Sequence, residues 1–286
     1  HYPQVKDIVI TGDLSNDYSQ ESYNELPSQW RGLLMDQRQL RQLAVEPKLK
    51  QISSEFRKKY LQDLSRLDKL SKERKLLPEE FADQGALLIR LNQAPLALET
   101  LRKADREYPL NFRILANLSS AWQTLGEFDR AIQVSEQAIA LAPGKYVDAE
   151  KLQLFWIKQL KKQKAGQKTD NLFNLLFQSP EGKYLAGGID PAQLKNIPKD
   201  AIASVQLLAL WFPADSLLLM QLAEIANASG DPEVALAMMD GCVTEFGLRE
   251  GLLLEHRRIL KEYVQGRKTV KDEKHQDHKS WFVPKS

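Results

Sequence analysis

Apolar residues recur along this chain at three- and four-residue spacings, the period of helices that bury one face. The pattern is sharpest from Phe112 to Lys145. Leu115, Leu118, Ser119 and Trp122 share one helical face, Leu125-Gly126 closes that helix, and Phe128 follows the turn. Ala131, Ile132, Ala138 and Ile139 then mark a second helix, which ends at Pro143 because proline cannot continue it. Ser119, Ala131 and Ala138 are small where the two helices of the hairpin approach each other, since bulk would push them apart.

The same pattern stands 34 residues earlier, from Pro78 to Asn111. Phe81, Gly85 and Leu88 fall on its first helix, and Ala97, Leu98, Leu101 and Ala104 on its second, which Tyr108-Pro109 ends. Its turn reads Leu91-Asn92, with asparagine tolerating the left-handed conformation. A further match runs from Ser216 to Arg249, with Leu219, Leu222, Ala223 and Ala226, a Ser229-Gly230-Asp231-Pro232 turn, then Ala235, Leu236, Met239, Cys242 and Val243. The stretch before it, Gly182 to Asp215, fits only in its second half, at Ala201, Ile202, Val205 and Leu208. Its first half, around Gly187-Gly188-Ile189-Asp190-Pro191, predicts a short or distorted helix.

Large apolar, small residue, aromatic, Leu-Gly, two alanines and proline at these offsets resemble the tetratricopeptide repeat. The resemblance covers roughly half of the chain. It implies an all-α fold, a helical-repeat solenoid of TPR type, whose inner groove is lined by the first helix of each hairpin and serves protein–protein interaction. The groove-facing places are then Glu79, Ala82, Ala86 and Ile89 in one repeat and Arg113, Ala116, Ser120 and Gln123 in the next. Members that grip a peptide's terminal carboxylate use lysine, arginine and asparagine at these places, and Ala82, Ala86 and Ala116 depart from that. Such a groove suits a helix or an extended segment, supplied by an external partner or by the protein's own N-terminal helix.

The flanks complete the organisation. Residues 1–29 form an N-terminal segment in which Val5 to Ile10 predicts a short strand or extended piece, and residues 30–77 hold helices at Trp30–Val45 and Lys48–Lys75. The latter carries Leu49, Ile52, Phe56, Tyr60, Leu64 and Leu67 on one face. Repeats occupy 78–160, where Val147–Lys161 is a first helix with Leu152 and Trp156 at core positions. A basic break with a helix over Asn171–Phe177 spans 161–181, either a widened repeat or a hinge between two small arrays. The degenerate and regular repeats fill 182–249, a capping helix with a polar outer face spans 250–265, and a polar, lysine-rich tail spans 266–286.

Composition changes this picture little. Of 286 residues, 43% are apolar and 27% charged, enough to build a core, and the net charge of +2 does not call for a polyanionic partner. Lys48 to Lys75 holds ten Lys or Arg against four Asp or Glu, and Lys158, Lys161, Lys162, Lys164 and Lys168 add a second basic cluster. These could touch phosphates, yet few aromatic rings interleave them for base stacking, so a solvated helix face is the reading and nucleic-acid association its alternative. No apolar run reaches the roughly 20 residues of a membrane helix. A start at His1 rather than Met suggests a processed N-terminus and an extracytoplasmic place, with a cytoplasmic one as the alternative.

Candidate chemistry is sparse. The lone Cys242 can form neither an internal disulfide nor a cysteine zinc site. Ile10-Thr11-Gly12-Asp13-Leu14-Ser15-Asn16-Asp17 resembles a metal-binding strand end of the metallophosphoesterases, but none of the four histidines stands in that family's further motifs. His275 and His278 lie three apart in a polar tail, where chance spacing is the simpler account. Asn117-Leu118-Ser119 and Asn227-Ala228-Ser229 match the glycosylation sequon but fall within repeat helices. No nucleophile with a His and Asp, no phosphate loop and no paired carboxylates stand out. The sequence therefore predicts no enzyme, no cofactor and no metal. It predicts a scaffold that binds protein partners, as a structural or assembly component, an accessory subunit of an enzyme encoded elsewhere, or a homo-oligomer through Lys48–Lys75.

Overall fold

A computed structural model describes residues 55–179, 181–198, 201–212 and 215–279. The expected helix at Trp30–Val45, the segment Val5–Ile10 and the Ile10–Asp17 motif lie outside these residues. The described residues are helical and contain no strand. In chain order the helices are α1 (Glu55–Glu73), α2 (Pro78–Arg90), α3 (Ala94–Glu107), α4 (Phe112–Thr124), α5 (Phe128–Leu141), α6 (Gly144–Lys164), α7 (Pro191–Leu194), α8 (Ala201–Trp211), α9 (Ser216–Ala228), α10 (Pro232–Thr244) and α11 (Gly251–Lys279). The longer helices pack on their neighbours in sequence, α1 on α2 and so on through α6, then α8 through α11. In addition α2 packs on α4, first helix on first helix.

The ends of the first helices share one device. In α2, Asn92 N–H donates to Ile89 O and Gln93 N–H to Leu88 O, and the same pair of bonds ends α4 at Gly126 and Glu127, α6 at Gly166 and Gln167, and α9 at Gly230 and Asp231. This is the Schellman arrangement, which satisfies the last carbonyls of a helix by turning one residue left-handed. Asn92, Gly126, Gly166 and Gly230 have φ of 59°, 74°, 68° and 87°. The turn spacing of 34 residues from Asn92 to Gly126 comes from the sequence pattern; the next left-handed turn, at Gly166, lies beyond that spacing.

Small residues act where the sequence places them. A Cβ on Gly85 would stand 2.5 Å from a methyl carbon of the fully buried Leu101, so glycine is what lets α2 and α3 approach. Ser119, at the matching place in α4, donates its hydroxyl to Ala131 O of α5 at 2.9 Å. Asn111 caps α4 by accepting from Arg113 N–H and Ile114 N–H, and Asp215 caps α9 in the same way.

Two expectations need correction. Asn171–Phe177 is not a helix but a turn followed by irregular chain. Asn171 Oδ1 accepts from Leu175 N–H at 2.7 Å and Asn174 turns left-handed, so local side-chain bonding outcompetes the helix. Its apolar side chains are still used: Leu172 and Leu175 are buried. The capping helix does not stop near Val264 but continues as α11 to Lys279, because its charged sequence contains good helix formers and no proline. The irregular first half of 182–215 is as expected: one turn, α7, precedes α8.

Candidate functional site

The expected groove positions converge on a seam between the first helices, and that seam is closed. Ala82, Ala86, Ala116 and Ser120 are fully buried, Ile89, Arg113 and Gln123 nearly so, and Glu79 is half-buried. Polar groups within the seam bind one another. Asn117 Nδ2 donates to Ala82 O at 2.7 Å, and Gln153 Nε2 donates to Ser120 Oγ at 3.0 Å and to Gln123 Oε1 at 3.1 Å. Burial lowers the pKa of the Arg113 guanidinium, opposed by the charges of Asp83, Tyr146 and Glu79. At one end Arg90 Nη1 donates to the Tyr60 hydroxyl at 3.2 Å, which ties α2 to α1.

Helix α8 packs against both α2 and α6 and brings the two halves of the fold together. Its sequence is mostly apolar, and its Ala201, Val205, Leu208, Ala209 and Trp211 are buried. Phe212, just beyond it, borders a cavity shared with Ile89, Gln123 and Leu160. The expected groove positions are thus buried within the fold, beside the packing of α8 on α2 and α6. Residues 48–54 of the expected N-terminal helix lie outside the described residues.

Asp215 joins the halves. Its Oδ2 accepts from Trp156 Nε1 on α6 at 2.9 Å, while its Oδ1 accepts from Leu217 N–H and Leu218 N–H to start α9. Burial raises its pKa, and the three donors oppose that rise. Asn227 does similar work inside the second half. It donates Nδ2 to Leu185 O and Gly188 O and accepts from Gly187 N–H, which pins the irregular segment to α9. Asn117 and Asn227, the two sequon asparagines, are therefore both buried and hydrogen-bonded, and a glycan fits neither in the folded chain.

A buried cluster in the second half had no signal in the sequence. His256 Nδ1 on α11 meets Glu224 Oε1 on α9 at 2.5 Å, and the Tyr184 ring stacks on His256 at 3.8 Å between centroids. Burial, then the Glu224 charge, pushes the Tyr184 phenol far above its ordinary pKa. Tyr184 also interacts with Glu224 through its side chain, while His256 Nε2 is buried without a hydrogen-bond partner. Only the docking of α11 on the array brings these residues together, so no spacing could announce them. Among the described residues no group of three metal-ligating side chains occurs, and the His275 and His278 side chains lie outside them. Cys242 is buried and burial pushes its thiol up to about 12, so little thiolate exists near neutral pH.

The basic cluster on α6 is largely spent within the fold. Lys158 pairs with Glu136 at 3.5 Å, Lys161 with Asp129, and Lys162 with Asp170 at 2.9 Å. Lys164 donates to Gly126 O at 3.0 Å and sits over the Phe128 ring. Among the described residues no helix is long and apolar enough to cross a membrane. Neither a protein-family model nor a curated protein matches the chain.

Proposed function

We propose that this chain is a tetratricopeptide-type scaffold for protein–protein interaction, a structural or assembly component of a larger complex rather than an enzyme. The observation that carries this reading is the recurring first-helix terminus: Asn92, Gly126 and Gly230 turn left-handed with the same hydrogen bonds at matching places in three hairpins. Stacked hairpins present surfaces much larger than a catalytic cleft, and such surfaces suit partners. The non-enzyme reading draws on the side chains available: the thiol is buried, and His256 and Tyr184 are enclosed.

With the groove positions buried, the docking surface lies on the flanks. Lys59, Arg66, Lys69 and Lys72 stand exposed on α1, and α11 continues to Lys279. The paired lysines of α6 weigh against their use in phosphate binding, so the nucleic-acid alternative rests on the exposed cations of α1. Affinity capture from native extract followed by mass spectrometry tests the scaffold reading. A stable partner recovered in stoichiometric amount is the expected result. Recovery of the chain alone, at concentrations where complexes survive, would remove the reading's main consequence.

A further inference from the structure

A cavity of about 320 Å³ lies where the end of α1 meets α2 and α3. Its charged lining is unbalanced, with Arg74, Lys75, Lys103 and Arg106 against Glu99. Two of these cations are committed elsewhere. Arg74 donates both terminal nitrogens to Glu80, at 2.8 and 2.6 Å, and Lys75 meets Glu107 at 3.3 Å. Lys103 and Arg106, one turn apart on α3, have no ion-pair partner among the described residues. Glu99 stands four residues before Lys103, the spacing at which a helix pairs such side chains, yet the two do not pair. The Lys103 ammonium stands instead 5.9 Å from the centre of the buried Phe81 ring, and Phe81 is itself a wall of the cavity. The attraction of the ring face holds Lys103 at the cavity. Thr100 is another wall, and its hydroxyl makes no hydrogen bond.

An ammonium, a guanidinium and a hydroxyl, none of them engaged, supply more donors than the two oxygens of a carboxylate can use. A phosphate monoester offers three strong acceptor oxygens and a charge of about −2 near neutral pH. Guanidinium and ammonium groups both suit it, the first through its planar fork and the second as a point charge. The volume holds roughly ten non-hydrogen atoms, on the scale of about 30 Å³ for one water's share of liquid, which is room for the phosphate and the short stem that carries it. We propose that the cavity between α1, α2 and α3 binds a phosphate monoester, held by Lys103 and Arg106 with the Thr100 hydroxyl, and that Glu99 opposes it. The phosphate comes either from a phosphorylated serine of a protein partner or from free inorganic phosphate. Only the first source rests on the scaffold reading.

The full-length protein is titrated at low salt by calorimetry with a capped Gly-phosphoserine-Gly peptide, with the unphosphorylated Gly-Ser-Gly and with inorganic phosphate. Saturable binding of a phosphorylated ligand is expected, and no binding of Gly-Ser-Gly. Lys103→Gln and Arg106→Gln remove exposed charges and each weaken that binding about fivefold. Glu99→Gln removes the opposing charge and tightens it about twofold. Lys168→Gln, at an exposed lysine beyond α6, leaves it unchanged. Circular dichroism shows that each variant is folded. No saturable binding of either phosphorylated ligand, equal binding of Gly-Ser-Gly, unchanged affinity in both Lys103→Gln and Arg106→Gln, weaker binding in Glu99→Gln, or an equal loss in Lys168→Gln would each overturn the proposal. Tighter binding of a single-stranded oligonucleotide without a terminal phosphate would also overturn it, since all of its phosphates are diesters. Peptide binding at least as tight as that of inorganic phosphate supports a partner's phosphoserine, and binding of inorganic phosphate alone supports a free anion. A failed capture of partners removes the scaffold reading and leaves the phosphate site standing.

Discussion

Asp215 holds together two parts of the fold that the chain separates, and its removal has a magnitude that follows from its bonds. Asp215→Ala deletes the cap of α9, where Oδ1 accepts from Leu217 N–H at 3.1 Å and Leu218 N–H at 3.3 Å. A lost cap costs about 0.5–2 kcal/mol. It also leaves the indole N–H of Trp156, itself 4% exposed, without the Oδ2 acceptor it has at 2.9 Å. An orphaned buried donor costs about 1–3 kcal/mol. The total is roughly 1.5–5 kcal/mol. Asp215→Ser separates the two parts, because serine keeps a cap but cannot reach the indole; it loses about 1–3 kcal/mol.

The pairing with Trp156 is isolated by a double-mutant cycle. Asp215→Ser is measured alone and in Trp156→Phe, which has no N–H, by urea unfolding followed by circular dichroism. If the bond spans the joint as described, the coupling is about 0.5–3 kcal/mol. A pH series adds a check with a definite sign. Burial raises the native pKa of Asp215 above its unfolded value. The native state therefore prefers the protonated form, and this residue's contribution to stability falls as pH rises from the ordinary aspartate value, about 3.9, through the raised native value. The difference between wild type and Asp215→Asn changes in that window and is flat above it. A coupling below about 0.3 kcal/mol, the scatter of independent sites, would refute the joint.

Other expectations follow from single contacts. Gly85→Ala puts a Cβ against Leu101, and the overpacking of about 1–3 kcal/mol exceeds the helix gain of about 0.5–1 kcal/mol, so the melting temperature falls. Gly85→Leu is expected to give little folded protein by circular dichroism, and an unchanged melting curve would contradict the close approach. Asn227→Ala loses bonds to Leu185, Gly187 and Gly188, costs roughly 2–4 kcal/mol, and exposes 182–190 to early hydrogen exchange while α2 to α5 stay protected. Cys242 is expected to resist a thiol reagent at pH 8 in the native protein and to react fully in urea; rapid native labelling would show that the thiol is not enclosed. Generic duplex DNA or RNA is expected to show no gel shift at low salt, and a salt-sensitive shift would restore the nucleic-acid alternative.

How much of this was legible in the sequence differs from element to element. The helices at Pro78–Arg90, Ala94–Glu107, Phe112–Thr124 and Phe128–Leu141 followed from period, caps and turns, since Gly126, Pro143 and the small residues act on their near neighbours. The basic stretch after Trp156 read as a break, but charge alone does not end a helix. Lysines in the last turn favour a helix C-terminus, and α6 runs on to Lys164 before Gly166 turns it. Asn171–Phe177 read as a helix because its apolar residues suit one; the two asparagines decided otherwise through bonds that a period count ignores.

The sequence by itself determined the hairpins, because their causes lie within a few residues of their effects: helical period, proline stops, left-handed turns and glycine at the tight approach. Tertiary structure alone decided what those hairpins face. Helix α8 is mostly apolar and so carries little directional message, yet it docks against α2 and α6, and the places where a groove was expected are buried. Glu224 and His256 are ordinary residues on separate helices, and Asp215 and Trp156 are joined across a long span of chain. Such pairs depend on how whole helices pack, which no local pattern encodes.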